Sequence, residues 1–231
     1  MYSEGNIWSD LPTVLAAAHE MKSPLVLIRQ LALELEDMGE NSTAERIRLT
    51  AERSLQLVEG LTRAARLDDA MFACEPIYLP SLYDEVAHEI EPLSRALGQS
   101  VRVVTPSNNM TAIGNHSLLR SVLIGLCDNA LSHNQPDHPI VLSARSTGGR
   151  VVASVRDFGP NSLPLRHVRR NLGVTPLPIS QRPRSSGLGL MIAERFARHM
   201  QAELHLRRHR DAGATFSIDL PASQQLSLLS V

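Results

Sequence analysis

The chain has 231 residues, with 23 Lys and Arg against 24 Asp and Glu and only two cysteines, Cys74 and Cys127. Near-neutral charge excludes nucleic acid and an anionic membrane as obvious main partners, and two widely spaced thiols make neither a disulfide framework nor a zinc site. No apolar run reaches the roughly 20 residues of a spanning helix, and the leading MYSEGNIWSD has no signal-peptide pattern, so a cytoplasmic chain with no membrane insertion is expected.

Residues 1–10 read as a short lead, and residues 11–68 as a helical hairpin. Leu11, Val14, Ala18, Met21, Leu25, Ile28, Ala32 and Leu35 fall alternately three and four apart, the spacing of a bundle seam. Gly39 is the expected stop. Ser42-Thr43-Ala44-Glu45 reads as a capping box opening a second helix, with a weaker seam through Ile47, Ala51, Val58, Leu61 and Ala65. So short a connection folds the helices antiparallel. Two helices cannot bury such stripes alone, whereas two copies making a four-helix bundle can, so a homodimer is expected.

His19 directly follows the seam residue Ala18 and is followed by Glu20-Met21-Lys22-Ser23-Pro24. The proline predicts a kink one turn beyond the histidine. Glu20 can accept a hydrogen bond or a proton from one ring nitrogen, leaving the other as a nucleophile. This run resembles the H-box of sensor histidine kinases, which lies on the first helix of their dimerisation domain.

Residues 69–80, with Pro76 and Pro80, read as a linker. After it Ser81 is expected to cap a helix running towards Gly98 and bent at Pro92, followed by a strand at 101–104 and a short one before Gly114. A long helix is expected over 117–133. Strands at 140–144 and 151–155 flank the turn Thr147-Gly148-Gly149. A helix over 188–200 then precedes strands at 202–208 and 215–220, joined at Asp211-Ala212-Gly213. Interleaved strands and helices predict a two-layer α/β sandwich over 81–221, and 222–231 read as a tail. The expected fold class is therefore α plus α/β.

Four patches in this second segment carry chemistry. Asn129, late in the long helix, offers an amide oxygen suited to Mg²⁺, although a polar helix surface explains it equally well. Asp157, ending a strand beside Phe158-Gly159-Pro160, can accept the amine of adenine or simply form a turn. Gly187-Leu188-Gly189 opens a helix whose free N–H groups suit phosphate. Thr215 lies after Gly213-Ala214, where it reaches adenine or merely favours the strand.

In this order and spacing the patches resemble the ATP domain that histidine kinases share with DNA gyrase. The resemblance implies ATP and Mg²⁺ as cofactors, a mobile lid over about 163–186, and Arg182 or Arg184 meeting the phosphates. It further implies phosphorylation of His19, with Glu20 orienting the ring and Ser23 positioning water for the reverse phosphatase reaction. The partner implied is a response-regulator receiver whose aspartate takes the phosphoryl group. The chain departs from the family at Gly125, where a second asparagine is usual, and at Ser132, where a phosphate-binding cation is common. His133 replaces an aromatic, and either it or a lid arginine is expected to compensate for the missing cation; Asn161 replaces a glycine. Those departures favour a rival reading, a weak or dead dimeric scaffold or phosphatase that binds a receiver. A second rival is an ATP-driven relative acting on other substrates.

Overall fold

The computed structural model describes residues 11–39, 41–67, 72–104, 110–135, 137–159 and 188–223. Helix α1 (Leu11–Asp37) and helix α2 (Asn41–Ala65) form the hairpin. Gly39 ends α1 at φ 94°, a left-handed conformation that glycine adopts freely, and its N–H returns to the Glu36 carbonyl at 3.0 Å. Helix α1 continues through Pro24 rather than ending there; the ring's missing N–H removes the helix bond to the Glu20 carbonyl. Because α2 already begins at Asn41, Ser42, Thr43 and Glu45 lie inside its first turn and do not form the expected cap.

The two helices bury very different surfaces. In α1 only Ala18 and Ala32 are fully covered, while Met21, Leu27, Ile28, Leu31 and Leu35 are exposed. In α2 the buried set is larger, from Ala44 through Leu49, Ala51, Leu55, Val58 and Leu61 to Ala65, because the helix packs against α1 and the second domain. Ile47, expected in the seam, is exposed in the single chain, as are Met21, Ile28 and Leu35 of α1.

Strand β1 (Glu75–Tyr78) occupies part of the stretch read as a linker and pairs antiparallel with β3 (Thr111–Gly114) in a small separate sheet. Helix α3 (Leu79–Ala96) starts two residues before the expected Ser81, with Tyr78 at its N-cap and Pro80 in its first turn, where proline's fixed φ is favourable. Strand β2 (Val101–Val104), helix α4 (His116–His133), strands β4 (Ile140–Thr147) and β5 (Arg150–Arg156), helix α5 (Leu188–His199), and strands β6 (Glu203–Arg208) and β7 (Ala214–Pro221) complete the domain. The main sheet has the order β2-β4-β5-β7-β6, with β2 and β4 parallel and the other neighbours antiparallel. Helices α3, α4 and α5 pack on it to give the expected two-layer sandwich. Gly148 and Gly149, both at positive φ, make the tight β4–β5 turn that the sequence announces.

Tyr83 of α3 ties the layers together. Its ring is fully buried, its hydroxyl donates to the Ser143 carbonyl at 2.7 Å and accepts from the Ser154 N–H at 3.2 Å. Those two serines face each other across β4 and β5, so the phenol joins a helix to the middle of a ladder. Burial pushes the Tyr83 phenol well above its ordinary pKa.

Hairpin and sandwich share one continuous core that includes Ala18, Val58 and Leu61 with Leu123, Ile192 and Phe196. A polar cluster reinforces the contact. Arg53 of α2 places Nε 3.2 Å from Asp128 and donates to the Glu89 carbonyl at 3.3 Å, and Gln56 donates to the Glu89 carboxylate at 2.8 Å. Glu89 also pairs with Arg120. Further along α2, Arg195 donates to the Ala64 carbonyl at 2.7 Å. Burial pushes the Asp128 carboxyl up to about 6, against the opposing pull of Arg53.

Two substitutions test these supports. Tyr83→Phe leaves the Ser143 carbonyl and Ser154 N–H without the hydroxyl and should cost about 1–3 kcal/mol in urea unfolding. Arg53→Ala should cost about 1–3 kcal/mol, between the exposed and buried ion-pair limits, and should increase amide exchange in α2.

Candidate functional site

At the end of β5 the backbone packs closely against two other segments. The Asp157 N–H donates to the Ala214 carbonyl at 2.9 Å, and Gly213 N–H donates to the Gly159 carbonyl at 2.8 Å. Gly213 stands at φ 78°, and a Cβ there would lie 1.9 Å from the Asp157 carbonyl oxygen. At Gly159 a Cβ would lie 2.0 Å from the His133 carbonyl oxygen. Both positions therefore require glycine on packing grounds alone. From the α4 side, Asn134 Oδ1 accepts the Phe158 N–H at 2.8 Å. The turn Asp157-Phe158-Gly159 is thus clamped between the end of α4 and the β6–β7 turn.

That clamp fixes a buried carboxylate. Asp157 is 4% exposed, and its Oδ1 accepts the N–H of Gly159 at 3.0 Å and of Ala214 at 3.2 Å. Its other oxygen has no hydrogen-bond partner among the described residues, so it is the acceptor left for a ligand. Beside it, Thr215 sits opposite Arg156 in the β5–β7 register and places Oγ1 2.7 Å from His209 Nε2. The Arg156 guanidinium lies 4.5 Å over the Phe158 ring, which meets His138 edge-on.

Helix α4 supplies the second half of the site. Asn115 caps it by accepting the Leu118 N–H at 3.1 Å, and its apolar face from Leu118 to Leu131 is buried. The Asn129 side chain is half-buried and makes no hydrogen bond to another described residue. Four residues on, His133 closes the helix against Gly159. The Ser132 hydroxyl donates to the Asp128 carbonyl at 2.8 Å, so its proton serves the helix rather than a ligand. Leu188 and Gly189 open α5 beside this face: a Cβ on Gly125 would stand 4.0 Å from the Gly189 carbonyl, and a Cβ on Gly189 would stand 3.9 Å from Leu57 of α2. Arg182, Arg184, Gly187, Asn161 and the expected lid lie outside the described residues. Among the described residues no group of three His, Cys, Asp or Glu side chains is placed to hold a metal. The free amide of Asn129 fits a divalent ion shared with nucleotide phosphates.

His19, Glu20 and Ser23 are all exposed on α1, while the neighbouring Ala18 is completely buried. Lys22, within the same run, pairs with Glu59 of α2 at 3.2 Å. Glu20 makes no hydrogen bond to the His19 ring here, since adjacent helix residues point about 100° apart and do not face each other. The structure therefore brings His133, Asp157, Gly159 and Thr215 together, sets Asn129 one turn along α4 and Gly189 across from Gly125, and leaves His19 on the hairpin. Two residues of the site escape sequence reasoning. Asn134 has a weak signal, an asparagine at a helix end; His209 has none.

Residues 114–224 match the family described as histidine kinase-, DNA gyrase B-, and HSP90-like ATPase. Over 225 residues the chain is 28% identical to the sensor protein SphS of Synechococcus elongatus, covering 91% of this chain and 54% of that one. It is 30% identical over 212 residues to the sensor protein CreC of Escherichia coli strain K12, covering 90% of this chain and 44% of that one. The chain thus spans about half the length of the curated relatives it matches. In fold it resembles full-length ShkA, solved in complex with AMPPNP, with a TM-score of 0.65 at 24% identity over 92% of this chain and 46% of that one. It also resembles the histidine kinase AdeS of Acinetobacter baumannii, with a TM-score of 0.58 at 16% identity over 89% of this chain and 98% of that one. Among the described residues, no helix is long and apolar enough to cross a membrane.

The clamp yields a direct test. Gly213→Ala must displace the Asp157 backbone and should cost about 1–3 kcal/mol of strain. Urea unfolding reads the stability loss, and chemical-shift changes should centre on Asp157 to Gly159.

Proposed function

We propose that this chain, a relative of the sensor histidine kinases that carries their type of ATPase domain, phosphorylates its own His19 from ATP and passes the phosphoryl group to the aspartate of a response-regulator receiver. The observation that carries this reading is the convergence of Asp157, Gly159, His133 and Thr215 beside a free Asn129, in a domain joined to a hairpin with an exposed histidine. Asp157 accepts the adenine amine through its unpaired oxygen, and Thr215 meets the same edge of the base. Asn129 holds Mg²⁺ against the phosphates, where the ion offsets their charge. His133, which ends α4 with its carbonyl against Gly159, is the residue assigned to phosphate where the family's cation is missing. Gly187, Leu188 and Gly189 present the start of α5 to the phosphates, with Arg184 of the lid as a further cation.

In the transfer, a ring nitrogen of His19 forms a bond to the γ-phosphorus as the bond to the β–γ bridging oxygen breaks, and ADP leaves. The proton on the ring passes to Glu20 or to water. Glu20 must turn towards the ring to take it, because the two are not hydrogen-bonded in this structure. Ser23, one turn along, is the residue for positioning water in the reverse reaction. A homodimer supports all of this: α1 leaves Leu27, Ile28, Leu31 and Leu35 uncovered, an apolar stripe that a second hairpin would bury in a four-helix bundle. A cytoplasmic location fits these partners.

One observation favours the weaker rival. Ser132 has its hydroxyl tied back to Asp128 and replaces the family's cation, so a slow kinase, or a receiver-binding scaffold with phosphatase activity, is the second reading.

Incubation with Mg-ATP, followed by a phosphate-affinity gel, decides between them. An acid-labile band in wild type, lost in His19→Ala and strongly reduced in Asn129→Ala, is the expected result. ATP binding without any band would sink the kinase reading and leave the scaffold. Leu31→Glu places a charge in the uncovered stripe and should convert dimer to monomer in light scattering, without lowering ADP affinity.

A further inference from the structure

We propose that His209 is a positioning residue for nucleotide recognition, whose ring sets the direction in which the Thr215 hydroxyl offers its proton to the base. The inference rests on the ATP-binding reading above and adds to it a proton-linked control of which base edge the site accepts. His209 Nε2 lies 2.7 Å from Thr215 Oγ1. Its position is tied to the carboxylate clamp, because the His209 N–H donates to the Gly213 carbonyl at 3.1 Å and Gly213 in turn donates to Gly159.

A hydroxyl has one proton and two lone pairs, and one of these sites is committed to the imidazole. When Nε2 carries no proton it takes the hydroxyl's own, and only lone pairs are left for the base. When Nε2 carries a proton it donates to Oγ1, and the hydroxyl proton is turned outwards. The role of Nε2 in the neutral ring depends on its tautomer; the doubly protonated ring permits only the second arrangement. Adenine presents an amine beside an acceptor nitrogen. With the amine taken by Asp157, the neighbouring acceptor needs a donor, which the outward hydroxyl supplies directly or through one water.

Charged groups from three sides bear on the ring. Arg156 from the end of β5 and Arg207 from β6 oppose its protonation; Asp157 after β5 and Asp211 in the β6–β7 turn favour it. Burial and then the two arginines hold the ring's pKa below the usual 6.5. Adenine affinity should therefore gain a component that appears as pH falls below that value.

The test is calorimetric titration of the full chain with ADP, without metal, between about pH 5 and 8. The phosphates of ADP titrate in this range for every variant, so the readout is the affinity of wild type relative to His209→Gln at each pH. That ratio should rise towards low pH by about two- to tenfold, the worth of one net hydrogen bond. Thr215→Ser should keep the rise and Thr215→Val should lose it. Inosine diphosphate, which has N–H where adenine has the acceptor, should show the opposite trend. A flat ratio, or the same trend for both nucleotides, would overturn the role of His209 while leaving ADP binding intact. Failure of wild type to bind ADP at any pH would instead remove the ATP-binding reading and this inference with it.

Discussion

Backbone meeting backbone at Asp157, Gly159 and Gly213 is the constraint on which the second domain is built. A carboxylate 4% exposed needs donors, and here two main-chain N–H groups supply them within a turn too tight for any Cβ at its neighbours. The arrangement in turn demands that β5 and β7 keep their register, since Ala214 and Gly213 face the turn from the start of β7. It also sets the length of α4, which must end at His133 so that Asn134 can receive the Phe158 N–H. In the proposed function, recognition of a base is a by-product of closing the sheet, through the oxygen that the main chain leaves unused.

Helix α2 makes the second connection, between two regions that the sequence presents as separate. It buries one face on α1 and another on α3 and α5, so its side chains report on both. Arg53 reaches Asp128, the residue beside Asn129, and Leu57 touches the place where Gly189 would carry a side chain. A shift of the hairpin thus bears on the start of α5 and on α4 within one turn of the proposed metal ligand. This is a mechanical reason for the proposed nucleotide site to sense the state of the helices that carry His19.

Much of this architecture can be read in the residues. The long helix ending at His133, the start of α5 at Leu188 and the Gly148-Gly149 turn are local signals, made by apolar periodicity and by glycine's tolerance of positive φ. Asn129, Asp157 and Thr215 stand out through their order along the chain, and the roles given to them are proposals. Other features depend on partners far away in sequence. Strand β1 is only Glu-Pro-Ile-Tyr, and it becomes a strand by pairing with Thr111 to Gly114, over thirty residues later. Asn134 matters because of Phe158, 24 residues on, and Arg53 because of Glu89 and Asp128. Pro24, a strong local breaker, lies within α1, which runs from Leu11 to Asp37.

The uneven burial of α1 separates two kinds of inherited fault. Damage to the sandwich core is felt inside one molecule, whereas damage to the uncovered stripe of α1 would act through the proposed dimer. In the proposed dimer, a chain with a ruined Asp157 turn but an intact α1 would still find and occupy a healthy partner. Such an allele would interfere with the normal copy in a mixed population, and a second lesion at Leu31 would make it harmless and recessive.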